Sequence, residues 1–147
     1  MRYSHELEIE GTPETLFALT QDYARRLEWD PFLSQARLLR GATVPEVGVR
    51  ALCTDRKGNA MEVAYVAFDP PNAAAVKMTR GPLFFASFAG TWRFAPVDGA
   101  RTRVRFKYFY RLRWPFGFFA ERIAAEFARE TTARLEALRE FAEHPKR

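Results

Sequence analysis

The sequence predicts an α+β fold in which a curved, seven-stranded antiparallel sheet wraps around one long C-terminal helix. Segment 115–144 repeats apolar residues every three or four positions, which is the period of an amphipathic helix. The chain before it consists largely of short alternating segments separated by Gly, Pro, Asn and Asp, and strands joined by such short turns pair antiparallel. The sheet face and the helix stripe both need burial, so we expect them to pack together.

The C-terminal helix is predicted from Pro115 to His144. Pro115 suits the first turn because an N–H group at that position would have no partner. At 1.5 Å per residue this helix would be about 40 Å long. Its apolar stripe consists of Phe116, Phe119, Ile123, Phe127, Thr131, Leu135, Leu138 and Phe141. Its expected solvated face consists of Glu121, Arg122, Glu126, Arg129, Glu130, Arg134, Glu136, Arg139 and Glu140.

The first strand is predicted from Tyr3 to Glu10, where apolar and polar residues alternate. A short helix should follow, because Thr12 is a good N-cap and Pro13 is favourable at the first helical position. A second short helix is predicted from Asp22 to Glu28. It ends before Pro31, since the residue that precedes a proline avoids the helical conformation.

Six further strands complete the predicted sheet, and each ends at turn residues. The strongest turn signal is Asp98-Gly99, which is typical of a β-hairpin. Long twisted strands curve, so the sheet can wrap around the helix. The predicted strands are Gln35 to Arg40, Gly48 to Asp55, Met61 to Phe68, Ala74 to Thr79, Phe84 to Ala95 and Arg101 to Arg113.

The composition limits the class of protein. The 147 residues, 48% of them hydrophobic, suffice for one domain over residues 1–147. No apolar run approaches the about 20 residues of a spanning helix, and the first residues lack a signal-peptide pattern, so we expect a cytoplasmic protein without stable membrane insertion. The single Cys53 excludes an intrachain disulfide. With two histidines and no phosphate loop or nucleophile elbow, we expect no metal and no cofactor.

The net charge of +5 raises the alternative of a nucleic acid or an anionic lipid as partner. Basic residues form the outward row of the last strand, while the first strand carries an acidic row. If these strands are neighbours, each pair of opposite charges contributes a few tenths to about 1 kcal/mol. We therefore expect Glu6, Glu8 and Glu10 to lie opposite Arg103, Arg105 and Lys107, and we expect no nucleic-acid partner.

Several short motifs occur in a familiar order. They are Trp29-Asp30-Pro31, Val47-Gly48-Val49-Arg50, the hairpin from Thr91-Trp92-Arg93-Phe94 through Asp98-Gly99 to Val104, and the closing amphipathic helix. The ordered set resembles the START-like superfamily, and within it the polyketide cyclase/dehydrase-type branch, also called the SRPBCC group. The resemblance implies a helix-grip fold with strand order 1-7-6-5-4-3-2. It also implies a cavity for lipids, sterols, polyketides, quinones or plant hormones, and in some members a cyclase or aromatase activity.

Charged residues mark the outward face of each strand and so indicate which residues face the cavity. Its entrance is expected near the short helices and the turns 69–72 and 80–83. The lining should be apolar and aromatic with a few hydroxyl groups, as in pockets for small molecules. The predicted ligand-binding residues are Tyr65, Met78, Phe88, Trp92, Phe106, Tyr108, Tyr110, Phe119, Ile123, Phe127 and Thr131.

The fourth strand leaves two alternatives open. If Glu62 faces outward, Val66 and Phe68 also lie outside, unless a bulge shifts the alternation; together with Phe85 and Phe109 they could form an exposed patch for a homodimer. If Glu62 faces inward, it is a buried carboxylate with a raised pKa and a catalytic candidate. Arg50 is expected to face outward; only an inward-facing Arg50 could stabilise an enolate.

Two functions are consistent with these features of the sequence. The first is a binding protein for a hydrophobic small molecule, such as a lipid, a polyketide or an isoprenoid-like compound, held between the sheet and the C-terminal helix. The alternative is a cofactor-independent polyketide cyclase, aromatase or dehydratase that uses the same cavity. The sequence identifies no catalytic set, and a buried ionisable group in the pocket would favour the enzyme.

Overall fold

The computed structural model describes residues 1–144. The element order is the predicted one. The strands are β1 (Arg2–Glu10), β2 (Leu33–Leu38), β3 (Arg50–Asp55), β4 (Ala60–Asp69), β5 (Ala73–Arg80), β6 (Phe85–Pro96) and β7 (Arg101–Leu112). The α-helices are α1 (Pro13–Gln21), α2 (Arg26–Trp29) and α3 (Ala120–Glu143), and a 3₁₀ turn covers Phe116–Phe119.

All seven strands form one antiparallel sheet in the order β1-β7-β6-β5-β4-β3-β2. The sheet is curled into a half-barrel against α3, which confirms the α+β helix-grip fold. The first and last strands are therefore neighbours, as the resemblance implied. No helix within residues 1–144 combines the length and the apolarity needed to cross a membrane.

The two halves of α3 meet different surroundings. In the second half, Leu135 and Leu138 are fully buried in a solid core with Ile9 and Val104. In the first half, the apolar stripe is only half-buried, because it faces a space that side chains do not fill. One continuous stripe therefore holds the helix on the sheet at one end and covers a cavity at the other.

The long helix begins later than predicted. Phe116–Phe119 forms a 3₁₀ turn in which the N–H of Ala120 donates to the carbonyl of Gly117, and α3 starts only at Ala120. The tighter i to i+3 pattern is common at the ends of α-helices. The prediction that Pro115 lies in the first helical turn was therefore wrong.

The short helices were predicted with unequal success. The hydroxyl of Thr12 accepts a hydrogen bond from the N–H of Thr15, so Thr12 is the N-cap of α1 as expected. The second helix begins at Arg26 and not at Asp22. The side chain of Asp22 accepts from the N–H of Ala24, and this local bond forms a turn where a helix was predicted.

Two bulges change which residues of the sheet face inward. The β4–β5 register shifts between Tyr65 and Ala67, and the ring of Phe68 then packs 5.3 Å from Phe17. The β6–β7 register also shifts after Phe85, which is only 5% exposed. Val66 and Phe109 remain exposed, but β5 and β6 separate their strands. Of the two alternatives, the structure has the bulge and not an exposed apolar patch of these four residues, because each extra residue in a strand reverses the alternation that follows it.

The acidic and basic rows of β1 and β7 face each other. Glu6 lies opposite Arg105 and Glu8 opposite Arg103, with side-chain distances of 2.9 and 3.5 Å. Glu10 pairs with Arg101 at 3.8 Å, whereas Lys107 lies opposite a serine. The expected ion pairs are present, but the row is shifted by one pair from the predicted register.

Candidate ligand-binding cavity

A cavity of about 240 Å³ lies between the concave face of the sheet and the first half of α3. Strands β3 to β7 form one wall, and Ile123 and Phe127 of α3 form the opposite wall. Gly90 contributes open space, because a Cβ at this position would stand 3.4 Å from the ring of Phe106.

Aromatic rings form most of the apolar lining. Phe127 is central: its ring centroid lies 4.8 Å from that of Tyr108, 5.7 Å from that of Phe88 and 5.9 Å from that of Phe85. The ring of Phe106 lies 4.6 Å from that of Tyr108. Rings held against one another in this way are rigid, and they offer flat surfaces to an apolar or aromatic ligand.

The exposed side of the cavity lies between the β3–β4 turn, the loop after β5 and the start of α3. Lys57 and Asn59 come from the turn, Pro82 from the loop and Glu126 from the helix. Nζ of Lys57 lies 3.9 Å from a carboxylate oxygen of Glu126, so one ion pair crosses this side. The predicted entrance was partly wrong: residues 80–83 contribute, but residues 69–72 do not line the cavity.

The closed side of the cavity carries a buried ionic group, which we call the arginine cluster and define as Arg26, Asp30, Tyr108 and Arg134. Asp30 is 1% exposed, and its Oδ2 accepts from Nε of Arg26 at 2.9 Å and lies 3.0 Å from Nε of Arg134. Its Oδ1 accepts from the N–H of Phe32. Nη1 of Arg134 donates to the hydroxyl of Tyr108 at 2.5 Å.

These contacts determine the charge of the cluster. Burial alone would raise the pKa of Asp30, but the adjacent guanidinium groups of Arg134 and Arg26 outweigh burial and lower it. Burial raises the pKa of Tyr108, so its hydroxyl is neutral and can donate. At neutral pH the cluster contains two cations and one anion.

A second set of hydrogen-bonded polar side chains, separate from the arginine cluster, also lines the cavity. The hydroxyl of Tyr65 is 2.7 Å from the amide oxygen of Gln21 and 3.0 Å from the hydroxyl of Tyr23. Burial raises the pKa of Tyr23 to about 12, and it also raises the pKa values of Tyr65 and of the Cys53 thiol. All three groups are therefore neutral at physiological pH, and they offer hydrogen bonds without adding charge.

Glu130 is the remaining acidic group of interest in the lining. It lies one helical turn before Arg134 and is half-buried. Burial raises its pKa, although the positive charge of Arg134 opposes that shift. A carboxyl group whose pKa is raised by burial is a candidate for proton exchange with a bound molecule. Within residues 1–144, no three His, Cys, Asp or Glu side chains are grouped as a metal site.

The structure places the predicted ligand-binding residues in two groups. Those that line the cavity are Tyr65, Phe88, Trp92, Phe106, Tyr108, Ile123 and Phe127. Those that do not are Met78, Tyr110, Phe119 and Thr131. Tyr110 packs against Phe127 at a centroid distance of 4.9 Å, and Thr131 is fully buried without lining the cavity. Phe119 is partly exposed, because the helix begins after it.

The orientation of Glu62, for which the sequence allows two alternatives, is outward. Its carboxylate accepts from Nη1 of Arg50 at 3.1 Å and from the hydroxyl of Thr79 at 2.6 Å. These bonds lower its pKa, with the Thr79 hydroxyl as the largest cause. Neither Glu62 nor Arg50 lines the cavity, so the buried catalytic carboxylate considered at this position is not present.

The arginine cluster has no direct signature in the sequence. Helical periodicity places Arg134 on the solvated face and turn chemistry places Asp30 in a turn, yet Arg134 is 6% exposed and is paired with Asp30. Glu130, predicted on the same solvated face, also lines the cavity. The one available signal is that Arg134 lies three residues after Thr131 and one before Leu135, both on the predicted apolar stripe.

The sequence profile of a family described as polyketide cyclase/dehydrase and lipid transport matches residues 1–143. The chain belongs to this family. No curated protein matches the chain closely enough to suggest an activity. The family covers both reactions and transport, so membership leaves open which of the two applies here.

Solved structures of this family's fold are similar over nearly the whole chain. The Zhui aromatase/cyclase from Streptomyces sp. R1128 has a TM-score of 0.85 at 15% identity, with 100% of this chain and 96% of that chain covered. A START superfamily protein from Mycobacterium smegmatis has a TM-score of 0.79 at 14% identity, with 99% of each chain covered. Norcoclaurine synthase from Thalictrum flavum has a TM-score of 0.74 at 14% identity, with 99% and 96% covered. At these identities the similarity shows the fold alone.

Proposed function

We propose that this protein binds a hydrophobic small molecule in the cavity between the sheet and α3. The observation that carries the proposal is the aromatic cavity of about 240 Å³, which remains unfilled although a tightly packed core lies beside it. Burying apolar ligand surface there contributes about 25 cal/mol per Å² before the costs of association. A lipid, polyketide or isoprenoid-like ligand is consistent with the family.

The size of the cavity restricts the ligand further. Pockets for drug-sized ligands usually begin near ~300 Å³, so this cavity suits a compact molecule of one or two rings. A longer chain would have to extend past Lys57 and Asn59 on the exposed side. We therefore use two-ring compounds as probes.

The test is the binding of the neutral dye N-phenyl-1-naphthylamine, which fluoresces strongly in apolar sites. Phe127→Trp places a larger ring in the cavity and should weaken dye binding at least about tenfold, because an overfilled site excludes the ligand. Phe109→Trp is the matched control, since Phe109 is exposed on the outer face of the sheet. Equal dye affinity in the two variants would contradict the proposal.

A cyclase or dehydratase-type enzyme is the second candidate, and one observation favours it. Glu130, whose pKa is raised, lines the same cavity as Arg134 and Tyr108. A carboxylate base beside two hydrogen-bond donors can take a proton from the carbon next to a ketone while the donors stabilise the enolate oxygen. The test is the exchange of the α-hydrogens of 2-tetralone for deuterium, followed by NMR. Glu130→Gln should abolish any catalysed exchange; no catalysis by the wild-type protein would exclude this candidate for such ketones.

A further inference from the structure

The strongest unexplained feature of the cavity is the local charge of its arginine cluster. Both guanidinium groups of the arginine cluster contact the same oxygen, Oδ2 of Asp30, so two cations share one carboxylate. Side chains of Arg26 and Arg134 are less than one tenth exposed. A buried charge without a counter-charge is costly, and proteins normally pair such groups.

Glu130 is the nearest candidate for the missing anion, but it does not serve as a direct partner. Its carboxylate makes no ion pair with Arg134 among the contacts within residues 1–144, although it interacts with Arg134 at longer range. Its side chain lines the cavity one helical turn before Arg134, and burial raises its pKa. Among the described residues, Asp30 is therefore the one carboxylate in direct contact with the two guanidinium groups, and an acidic ligand beside them would be a second ion partner.

We propose that the ligand of this cavity carries an acidic oxygen, as a carboxylate, phenolate or enolate, and that Arg134 with Tyr108 binds that oxygen while the aromatic wall holds the apolar rings. This inference rests on the proposed function, since it concerns the same cavity. Arg134 and Tyr108 both line the space, and they are already joined by a hydrogen bond. Arg134 is held in place by Asp30, so little side-chain entropy is lost when the ligand binds.

The chemistry of the surroundings supports an anion over a neutral polar group. A guanidinium group binds carboxylate and related oxygens through several N–H donors, and such charge-assisted bonds are stronger than neutral ones. Tyr65 and Tyr23 are neutral and add no repulsion. A ligand packed against the adjoining rings of Phe106 and Phe127 would displace water from the guanidinium group, and a low local dielectric strengthens such a bond.

The test compares 2-naphthoate with 2-ethylnaphthalene as competitors of N-phenyl-1-naphthylamine at neutral pH. The two competitors have the same ring system and similar size, and they differ in charge. We expect 2-naphthoate to bind about tenfold or more tightly, which is the usual range for a hydrogen bond to a charged group. An apolar cavity without an available cation would give the opposite order, because the carboxylate would lose its hydration without compensation.

Variants of α3 test whether Arg134 causes the preference for 2-naphthoate. Arg134→Met leaves Arg26 and Asp30 as a balanced pair, and it should reverse the order of the two competitors. Arg129→Met is the matched control, because Arg129 is exposed on the same helix, and it should leave the order unchanged.

The outcomes separate this inference from the proposed function. If 2-ethylnaphthalene displaces the dye and 2-naphthoate binds no more tightly, the acidic-ligand inference is wrong and the cavity proposal stands. If neither the dye nor either competitor binds, the proposed function itself fails. If the preference for 2-naphthoate persists in Arg134→Met, the acidic oxygen is bound elsewhere and the assignment is overturned. If Arg134→Met does not fold, the comparison of 2-naphthoate with 2-ethylnaphthalene on the wild-type protein still shows which of the two binds more tightly, and a tighter 2-ethylnaphthalene would overturn the inference.

Discussion

Asp30→Asn is the substitution that should reveal most about how the cavity is built. The amide keeps the shape of the carboxylate but removes its charge, which leaves the guanidinium groups of Arg26 and Arg134 buried without an anion. Removing one partner of a buried ion pair costs about 3–5 kcal/mol. For a protein of this size, about 2–4 °C of melting temperature is lost per kcal/mol, so we expect a decrease of roughly 10 °C.

Urea unfolding measures this loss of stability, with tryptophan fluorescence as the signal. The ring of Trp29 lies 4.9 Å from the guanidinium group of Arg26, so its fluorescence should change when the cluster is disrupted. Asp22→Asn is the control: Asp22 is exposed and bonds only a local N–H, so its loss should cost less than about 1 kcal/mol. The double variant Asp30→Asn with Arg134→Met should be less destabilised than the sum of the single variants by about 0.5–3 kcal/mol. A loss below about 1 kcal/mol in Asp30→Asn would refute the account of the cluster.

The same carboxylate gives the wild-type protein a pH dependence with a defined sign. The pKa of Asp30 is lower in the folded protein than its usual value of about 4 in an unfolded chain. The ionised carboxylate therefore stabilises the fold above about pH 4, and this contribution is lost as the pH falls through the folded-state pKa. Asp30→Asn has no carboxylate to protonate here, so it should not lose this contribution in acid. The difference in free energy of unfolding between the wild type and Asp30→Asn should therefore become smaller below about pH 4.

The remaining predictions concern the sheet, the tyrosine group and the thiol. Replacing Glu6, Glu8 and Glu10 with Gln should cost less than about 2 kcal/mol in total at low salt and almost nothing in 1 M NaCl, because exposed ion pairs are weak and screened; an undiminished loss in urea unfolding at high salt would contradict surface pairing. Tyr65→Phe should cost about 1–3 kcal/mol in the same measurement, since it leaves buried polar partners unbonded; an unchanged stability would show that the hydroxyl is dispensable. Alkylation of the single Cys53 by iodoacetamide should be slow and slower still with dye bound, because the thiol lines the cavity; unchanged rates at saturating dye would place the dye elsewhere.

The periodic parts of the fold could be predicted because their signal repeats along the chain. Leu135 and Leu138 continue a stripe with helical spacing, and burial of that stripe follows from the sheet beside it. Period-2 alternation puts Glu6 and Arg105 on facing outward rows, and the strand order then makes them partners. The same alternation misplaces Phe85, because a bulge adds one residue to a strand without leaving a mark in the composition.

The polar part of the cavity could not be predicted for a different physical reason. An arginine on a helix is exposed by default, and its burial depends on a counter-charge brought near by the fold. For Arg134 that counter-charge is Asp30, which lies far earlier in the chain at the end of α2. The two residues become neighbours only in the folded protein, because the sheet places α2 and α3 close to each other.

Nuclear Overhauser effects between 2-ethylnaphthalene and the side chains of α3 test the central claim most directly. If the cavity between the sheet and the helix is the binding site, the ligand protons should show cross-peaks to Ile123 and Phe127, which line it, and none to Leu135 and Leu138, which lie in the solid core. Cross-peaks confined to exposed residues such as Val66 and Phe109, or none at saturating ligand, would contradict the claim.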